Sequence, residues 1–223
     1  MSHGNRGYSE KAVASGARFE AWVNAASARQ GTLPAEIERQ LFDMLEAEGP
    51  PERVLALVGP EVERMSRLAR RFPQTRVVAL DADGARLSSA QACCAGLSNT
   101  RFVEGGLQSR GLRPFRPFDA VLVADALPLI EAPLVAFDHI RALLGDRGRV
   151  VAHTAYYGEN PGALELAGPA PVDWPPPTQE EWRRSIRRAG FDVIQQERLH
   201  PGADDEGHRW WRSHGGLTFV GIA

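Results

Sequence analysis

Asp81 is the residue whose type and position suggest chemistry most directly, because it follows a short apolar run at residues 76–80. A carboxylate at the end of a buried strand, about 20 residues after a glycine turn, can accept hydrogen bonds from both hydroxyls of a ribose. Gly59 provides such a turn. The other role open to Asp81 is the N-cap of the following helix. Asp83 can fill that role, so we expect Asp81 to be available to a ligand.

Other residue types that often carry chemistry are poorly spaced in this chain. The two cysteines, Cys93 and Cys94, are adjacent, which disfavours a disulfide between them and leaves no CxxC metal site. His200, His208 and His214 match no familiar spacing of metal ligands. The sequence therefore predicts no metal site.

The elements that must position Asp81 are short apolar runs that alternate with amphipathic segments. Runs that are apolar throughout are typical of strands buried on both faces of a parallel sheet. The pattern predicts an α/β fold, with a doubly wound, Rossmann-like, seven-stranded and mostly parallel sheet and helices on both faces. The last two runs have no periodic helix between them, so we expect the last strand to be antiparallel. The predicted strands are residues 53–58, 76–80, 101–103, 119–124, 149–152, 191–194 and 217–222.

Helical signals separate these strands. In the helix that follows Gly59, we expect the apolar residues to face inward and Arg64, Arg67 and Arg71 to face solvent. Residues 145–148 are expected to cap the helix before the fifth strand. Residues 178–181 read as a capping box that opens a late helix, and Gly190 is expected to end that helix in a left-handed conformation.

The chain divides into two parts. Residues 1–49 are predicted to form an N-terminal helical cap or lid segment, in which Pro34 opens a helix that ends at residues 49–51. Residues 50–223 are predicted to form the Rossmann-like domain. Aromatic residues of the first part are candidates for a lid over the site, with ordinary packing as the alternative; they are Tyr8, Phe19 and Trp22.

Composition and charge limit the partners. The formal net charge of -2 gives no general attraction for nucleic acid. No apolar stretch reaches the roughly 18 residues needed to span a bilayer, and no signal peptide is evident, so we expect no membrane partner and a cytoplasmic location. The pair Trp210-Trp211 has two interpretations, which are stacking on an aromatic ligand or partner and folding back onto the sheet.

The carboxyl ends of the predicted strands resemble, in order, the motifs of the class I S-adenosylmethionine-dependent methyltransferases. The ordered series covers about residues 50–222, although no one motif is specific. The matching segments are VLALVG at 54–59, VVALD at 77–81, FVEGG at 102–106, FDAVLVADA at 118–126, LLGDRGRVV at 143–151 and the late helix with its AGF turn at 181–191.

This resemblance implies S-adenosylmethionine as cofactor and methyl transfer as activity, and we expect a small-molecule acceptor. His153 is then the candidate base, with a hydrogen-bonded histidine near the sheet edge as the alternative, and Tyr156 is expected to line the acceptor pocket. The residues expected to bind the cofactor are Gly59, Asp81, Ala82, Gly106, Leu107 and Ala124.

The chain also departs from the family pattern in its glycine motif. Ala56 stands near the usual acid, Pro60 and Val62 stand where glycines are common, and Gly106 replaces the acid of the third motif. A second hypothesis is therefore a catalytically inactive, methyltransferase-like protein whose cofactor site has decayed. Such a protein would act as a partner subunit or bind another ligand, and a homodimer is also open. Another reaction on the same fold is a third hypothesis.

Overall fold

The computed structural model describes residues 33–125, 133–155, 157–162, 177–199 and 215–223. No helix within these ranges is long and apolar enough to cross a membrane. Some residues singled out in the sequence lie outside these ranges, so the expectations for them stay predictions; they are Tyr8, Phe19, Trp22, Tyr156, His200, His208, Trp210-Trp211 and His214.

The described residues form helices and strands that alternate along the chain. The elements are α1 (Ala35–Glu46), β1 (Arg53–Leu57), α2 (Arg64–Arg71), β2 (Arg76–Asp81), α3 (Gly84–Cys93), β3 (Thr100–Glu104), a 3₁₀ helix (Arg110–Phe115), β4 (Phe118–Ala124), α4 (Pro133–Leu143), β5 (Leu144–Thr154), α5 (Gln179–Arg188), β6 (Asp192–Leu199) and β7 (Gly216–Ile222).

The strands form one seven-stranded sheet in the order β3-β2-β1-β4-β5-β7-β6. Strands β1 to β5 pair in parallel, and β7 runs antiparallel to both β5 and β6. The chain moves outward from β1 to β2 and β3 and then returns to β4 on the other side of β1. This order confirms the predicted fold class, including the antiparallel last strand. It also places the reversal of strand order between β1 and β4, where open α/β sheets bind their ligands.

The inner residues of the central strands β1 and β4 are apolar because both faces of the sheet are covered. In β1, Val54 and Ala56 contribute to one hydrophobic cluster, and Leu55 and Leu57 contribute to the other. Helices α1, α2 and α3 supply side chains to the first cluster, and α4 and α5 to the second. The alternation of side chains along each strand therefore joins two helical layers through one sheet.

Several predicted helix ends are confirmed by local hydrogen bonds. The Asp83 side chain accepts hydrogen bonds from two backbone amides at the start of α3, and Thr178 and Glu181 form the capping box of α5. Gly190 has a φ of +90°, the left-handed conformation expected after α5. These signals are reliable because they depend on the local chain alone.

The junction between α4 and β5 differs from the prediction. Residues 145–148 lie inside β5, which begins at Leu144, rather than capping the helix outside the sheet. Phe118 pairs with Leu144 and Ala120 pairs with Arg149, so β5 carries extra residues opposite β4 at this point. Arg147 has a φ of +62°, which lets the strand bulge and resume its pairing. The prediction was wrong because pairing with β4 competes with the local signal for a helix end.

Candidate functional site

The carboxyl ends of β1 to β5 meet at one edge of the sheet. The turn after β1 holds Gly59, which is buried and has a φ of +64°. A side chain is strained in that conformation, so glycine is the residue that the turn favours. The region outside the carboxyl ends of β1 and β4, near the turns that hold Gly59, Asp81, Gly106 and Asp125, is called the β1/β4 crevice below.

Asp81 lies at the end of β2 with its side chain 5% exposed. Its Oδ1 accepts hydrogen bonds from the backbone N–H of Asp83 at 2.8 Å and from Arg86 Nη2 at 2.9 Å. Its Oδ2 accepts a hydrogen bond from Arg86 Nε at 3.1 Å. Asp83 caps α3 as predicted, but the Asp81 carboxylate is not left open by that cap, because Arg86 of the same helix holds it with a bidentate contact.

The loop after β3 forms the next border of the crevice. The backbone N–H of Gly105 donates to the carbonyl oxygen of Asp81 at 2.9 Å, which ties this loop to the end of β2. Gly106 is exposed, and a side chain added there would meet no atom within 4 Å among the described residues. Ala82 is exposed and Leu107 is half-buried against the second cluster.

Asp125 follows the end of β4 and combines low exposure with a rare backbone conformation. It has a φ of +52°, which is rare outside glycine, and its side chain is 11% exposed. Its Oδ1 accepts a hydrogen bond from the backbone N–H of Ala155 at 3.1 Å. Its Oδ2 accepts no hydrogen bond within the described ranges. Burial raises the pKa of Asp125 to about 7, although the positive charge of Arg64 opposes the shift.

His153 lies on β5 directly beside the end of β4 and is completely buried. Its Nδ1 is 2.8 Å from Thr218 Oγ1 on β7, and its Nε2 is 4.0 Å from Asp125 Oδ2. Burial and the charge of Arg64 lower the pKa of His153 to about 3. The imidazole is therefore neutral at pH 7 and is closed off from solvent.

Arg64 departs most clearly from the sequence prediction, because it is 1% exposed instead of facing solvent. Its guanidinium donates to Glu38 Oε2 at 3.3 Å, to Glu61 Oε2 at 2.9 Å and to the carbonyl oxygen of Ala124 at 3.0 Å. Arg67 also donates to both carboxylates. A buried guanidinium persists only when its charge and its donors are matched, and these two acids match it. We call Glu38, Glu61, Arg64 and Arg67 the crevice ion cluster.

The structure thus brings most of the predicted site residues to one edge. Residues expected from the sequence at this edge are Gly59, Asp81, Ala82, Gly106, Leu107, Ala124 and His153. Asp125, Arg64 and Arg86 were missed. Asp125 had a usable signal, because it follows an apolar strand just as Asp81 does. The two arginines had none, since arginine on a surface-facing helical position is ordinarily solvated.

No protein-family model and no curated protein matches the chain, but solved structures do. A chain of the complex that contains the Haloferax volcanii Trm112 methyltransferase activator has a TM-score of 0.65 at 24% identity, over 92% of this chain and 97% of that chain. The N-methyltransferase NodS from Bradyrhizobium japonicum WM9, in complex with S-adenosyl-l-homocysteine, has a TM-score of 0.66 at 15% identity over 92% and 97%. The cyclase SpnF has a TM-score of 0.61 at 16% identity over 83% and 80%.

These similarities concern the fold. The chain has the class I methyltransferase fold, as its strand order and its antiparallel β7 also indicate. One of the similar structures is a cyclase, and a fold hosts more than one chemistry. The activity must therefore be argued from the residues of the crevice.

Proposed function

Starting from this class I methyltransferase fold, we propose that the protein transfers a methyl group from S-adenosylmethionine to a small-molecule acceptor bound at the β1/β4 crevice. The observation that carries the proposal is the Asp125 carboxyl group. It is buried at the point where the strand order reverses, it holds a backbone conformation that is costly for a side chain, and its Oδ2 accepts no hydrogen bond from a described residue. Strain and an unmatched buried acceptor tend to persist where they serve a ligand.

The crevice fits the cofactor in its donors and acceptors. S-adenosylmethionine carries a ribose diol, an ammonium group and a sulfonium, all of which suit acceptors or negative charge. Asp81 would accept the ribose hydroxyls, whereas Asp125 Oδ2 would stay available to the acceptor molecule. The buried turn at Gly59 and the open space at Gly106 leave room for close approach. The remaining residues proposed to line the cofactor are Ala82, Leu107 and Ala124.

The bound cofactor supplies an activated methyl group, so the protein must align the acceptor and remove its proton. Asp125 is better placed for the second task than His153, because it borders the crevice and has a pKa of about 7. The O–H, N–H or S–H bond of the acceptor would break, its proton would move to Asp125 Oδ2, and its electron pair would form the new bond to the methyl carbon. The electron pair of the broken S–CH3 bond would stay on the sulfur atom of the departing product. His153, whose Nε2 lies 4.0 Å from Asp125 Oδ2, would position Asp125. Tyr156 is proposed to line the pocket for the acceptor.

The N-terminal segment is proposed to cap this site. Helix α1 contributes Glu38 to the crevice ion cluster, and the backbone N–H of Leu33 donates to Glu61 Oε2 at 3.2 Å. These contacts support a role for residues 1–49 at the crevice. The acceptor is proposed to be a small molecule because the net charge of -2 offers no general attraction for nucleic acid.

A second candidate function is a non-catalytic partner subunit with a decayed cofactor site. The contact of Arg86 with both Asp81 oxygens favours it, because that contact occupies the acid on which ribose binding depends. One structure of the same fold comes from a complex with a methyltransferase activator, which supports looking for a partner protein here. A cofactor titration separates the two candidates.

The test is isothermal titration of the purified chain with S-adenosylmethionine and with S-adenosylhomocysteine. We expect saturable binding of both at a stoichiometry of one. Silence from both at millimolar concentration would overturn the proposed methyl transfer and favour the partner subunit. Binding of an unrelated nucleoside, such as cytidine, with equal affinity would also contradict it, because the crevice would then lack the required selectivity.

A further inference from the structure

Arg86 offers an inference that rests on the proposed function and concerns how that function is controlled. The guanidinium of Arg86 makes two parallel contacts with Asp81, at 2.9 Å through Nη2 and 3.1 Å through Nε. A planar guanidinium and a carboxylate satisfy each other well in this geometry. The same two oxygens are those that a ribose diol would need. Arg86 and the ribose therefore compete for one carboxylate.

Arg86 lies closer to solvent than Asp81 does. Its side chain is 20% exposed, whereas the side chain of Asp81 is 5% exposed. Arg86 Nη1 also lies 3.0 Å from Asp83 Oδ2, whose side chain is 35% exposed, which gives the guanidinium an anionic partner nearer the surface. The backbone N–H of Asp83 also donates to Asp81 Oδ1, at 2.8 Å, and this contact does not involve Arg86.

We propose that Arg86 is a displaceable latch that occupies the ribose-binding acid Asp81 until the cofactor replaces it, and that it sets the affinity of the site for adenosine-containing ligands. The latch differs from a decayed site in one respect. Removal of Arg86 leaves the ligand affinity of a decayed site unchanged, whereas it raises the ligand affinity of a latched site.

The arrangement also makes a distinction between ligands. Adenosine is neutral, S-adenosylhomocysteine is a zwitterion and S-adenosylmethionine carries one additional positive charge. Removal of the Arg86 charge relieves competition for all three, and it relieves repulsion only for the last. The gain in affinity should therefore be greatest for S-adenosylmethionine, and the gain for adenosine should report the ribose contact alone.

The experiment compares wild type, Arg86→Ala, Arg86→Lys and Arg76→Ala by titration calorimetry with adenosine, S-adenosylhomocysteine and S-adenosylmethionine. Arg76 is an exposed arginine at the other end of β2, so its removal controls for the loss of one positive charge. We expect Arg86→Ala to bind S-adenosylhomocysteine about tenfold more tightly than wild type does, which is about 1.4 kcal/mol. Arg86→Lys should lie between wild type and Arg86→Ala, since lysine lacks the bidentate fork. Arg76→Ala should bind as wild type does.

The outcomes separate the latch from the function beneath it. Equal or weaker binding by Arg86→Ala, with a wild type that binds, overturns the latch and leaves the proposed function standing. Binding by Arg86→Ala with a silent wild type supports the latch and contradicts the proposed function for the unmodified chain. Silence from every variant overturns the proposed function, and the latch with it. An equal gain in Arg76→Ala would contradict the latch, because the effect would then be one of net charge.

Discussion

Two aspartates lie at the carboxyl ends of the parallel strands on either side of β1 and differ in their hydrogen-bond partners. Asp81 accepts two hydrogen bonds from Arg86 and one from a backbone amide. Asp125 accepts one hydrogen bond, from the backbone N–H of Ala155. Burial favours its neutral form and raises its pKa to about 7. Of the two, Asp81 is the proposed acceptor for the ribose and Asp125 is the proposed acceptor of the proton.

Asp81→Ala tests the binding half of that division. It removes both acceptors proposed for the ribose, so we expect the affinity for S-adenosylhomocysteine to fall by more than about tenfold in calorimetry. Asp43→Ala is the control, since it removes an exposed carboxylate that pairs with Arg71 and touches neither Asp81 nor Arg86. An Asp81→Ala variant that binds as tightly as Asp43→Ala would show that the ribose lies elsewhere.

Strand β7 positions the proposed proton acceptor through the residue behind it. Thr218 pairs with His153 in the β5–β7 ladder and is hydrogen-bonded to its Nδ1. The imidazole ring lies directly over Gly216, where an added Cβ would stand 2.1 Å from the ring. The antiparallel end of the sheet thus fixes the group that faces Asp125.

Gly216→Ala should therefore displace the His153 ring. The contacting atoms belong to the ring of His153, which is rigid and completely buried, so the ring cannot move aside freely. Overpacking of this kind typically costs about 1–3 kcal/mol. Urea denaturation measures the loss, and the imidazole resonances of His153 report the movement of the ring. Gly106→Ala is the control, because the added side chain meets no atom within 4 Å among the described residues and should change stability little. Gly96→Ala would not serve, because Gly96 has a positive φ. Equal stability of Gly216→Ala and wild type would contradict the packing described.

Helix α1 is tied to the crevice through Glu38 of the crevice ion cluster. Glu38→Ala leaves the buried Arg64 with one fewer carboxylate, so we expect a loss of about 3 kcal/mol in the free energy of unfolding. Asp43→Ala on the same helix removes a partner of Arg71 from an exposed pair and should cost less than about 1 kcal/mol. Both variants are compared by urea denaturation. Similar losses would mean that the buried cluster contributes no more than the surface pair.

For the whole molecule, Asp125 and His153 give pH dependences of opposite sign. The pKa of Asp125 rises from 3.8 to about 7 on folding, so the folded state holds an extra proton between these values and this contribution to stability falls as pH rises. The pKa of His153 falls from 6.5 to about 3, so the unfolded state holds the extra proton and this contribution is lost as pH falls. Between about pH 4 and 6.5 the two largely cancel.

Asp125→Asn should remove the Asp125 contribution to the pH dependence of the free energy of unfolding, so that the His153 contribution is no longer cancelled. Relative to wild type, the variant should gain stability from pH 4 to 7 by up to roughly 1.4 kcal/mol per pH unit, because it lacks the penalty of ionising a buried carboxyl. Asp119→Asn, at the opposite end of β4, is the control and should follow wild type in this range. Urea denaturation at a series of pH values gives the difference profile. A flat difference would show that Asp125 titrates normally.

The sequence alone determined the sheet, the caps of α3 and α5 and the position of Asp81, because these depend on short-range patterns. Apolar runs become strands wherever both sheet faces are covered, and a cap needs only its own helix. The state of the site was decided by tertiary structure. Arg64 became buried because Glu38, Glu61 and Ala124 converge on it from separate elements. Asp125 became a weakly ionised acid because folding removes it from water. Such effects arise between residues distant in the chain, and no local pattern encodes them.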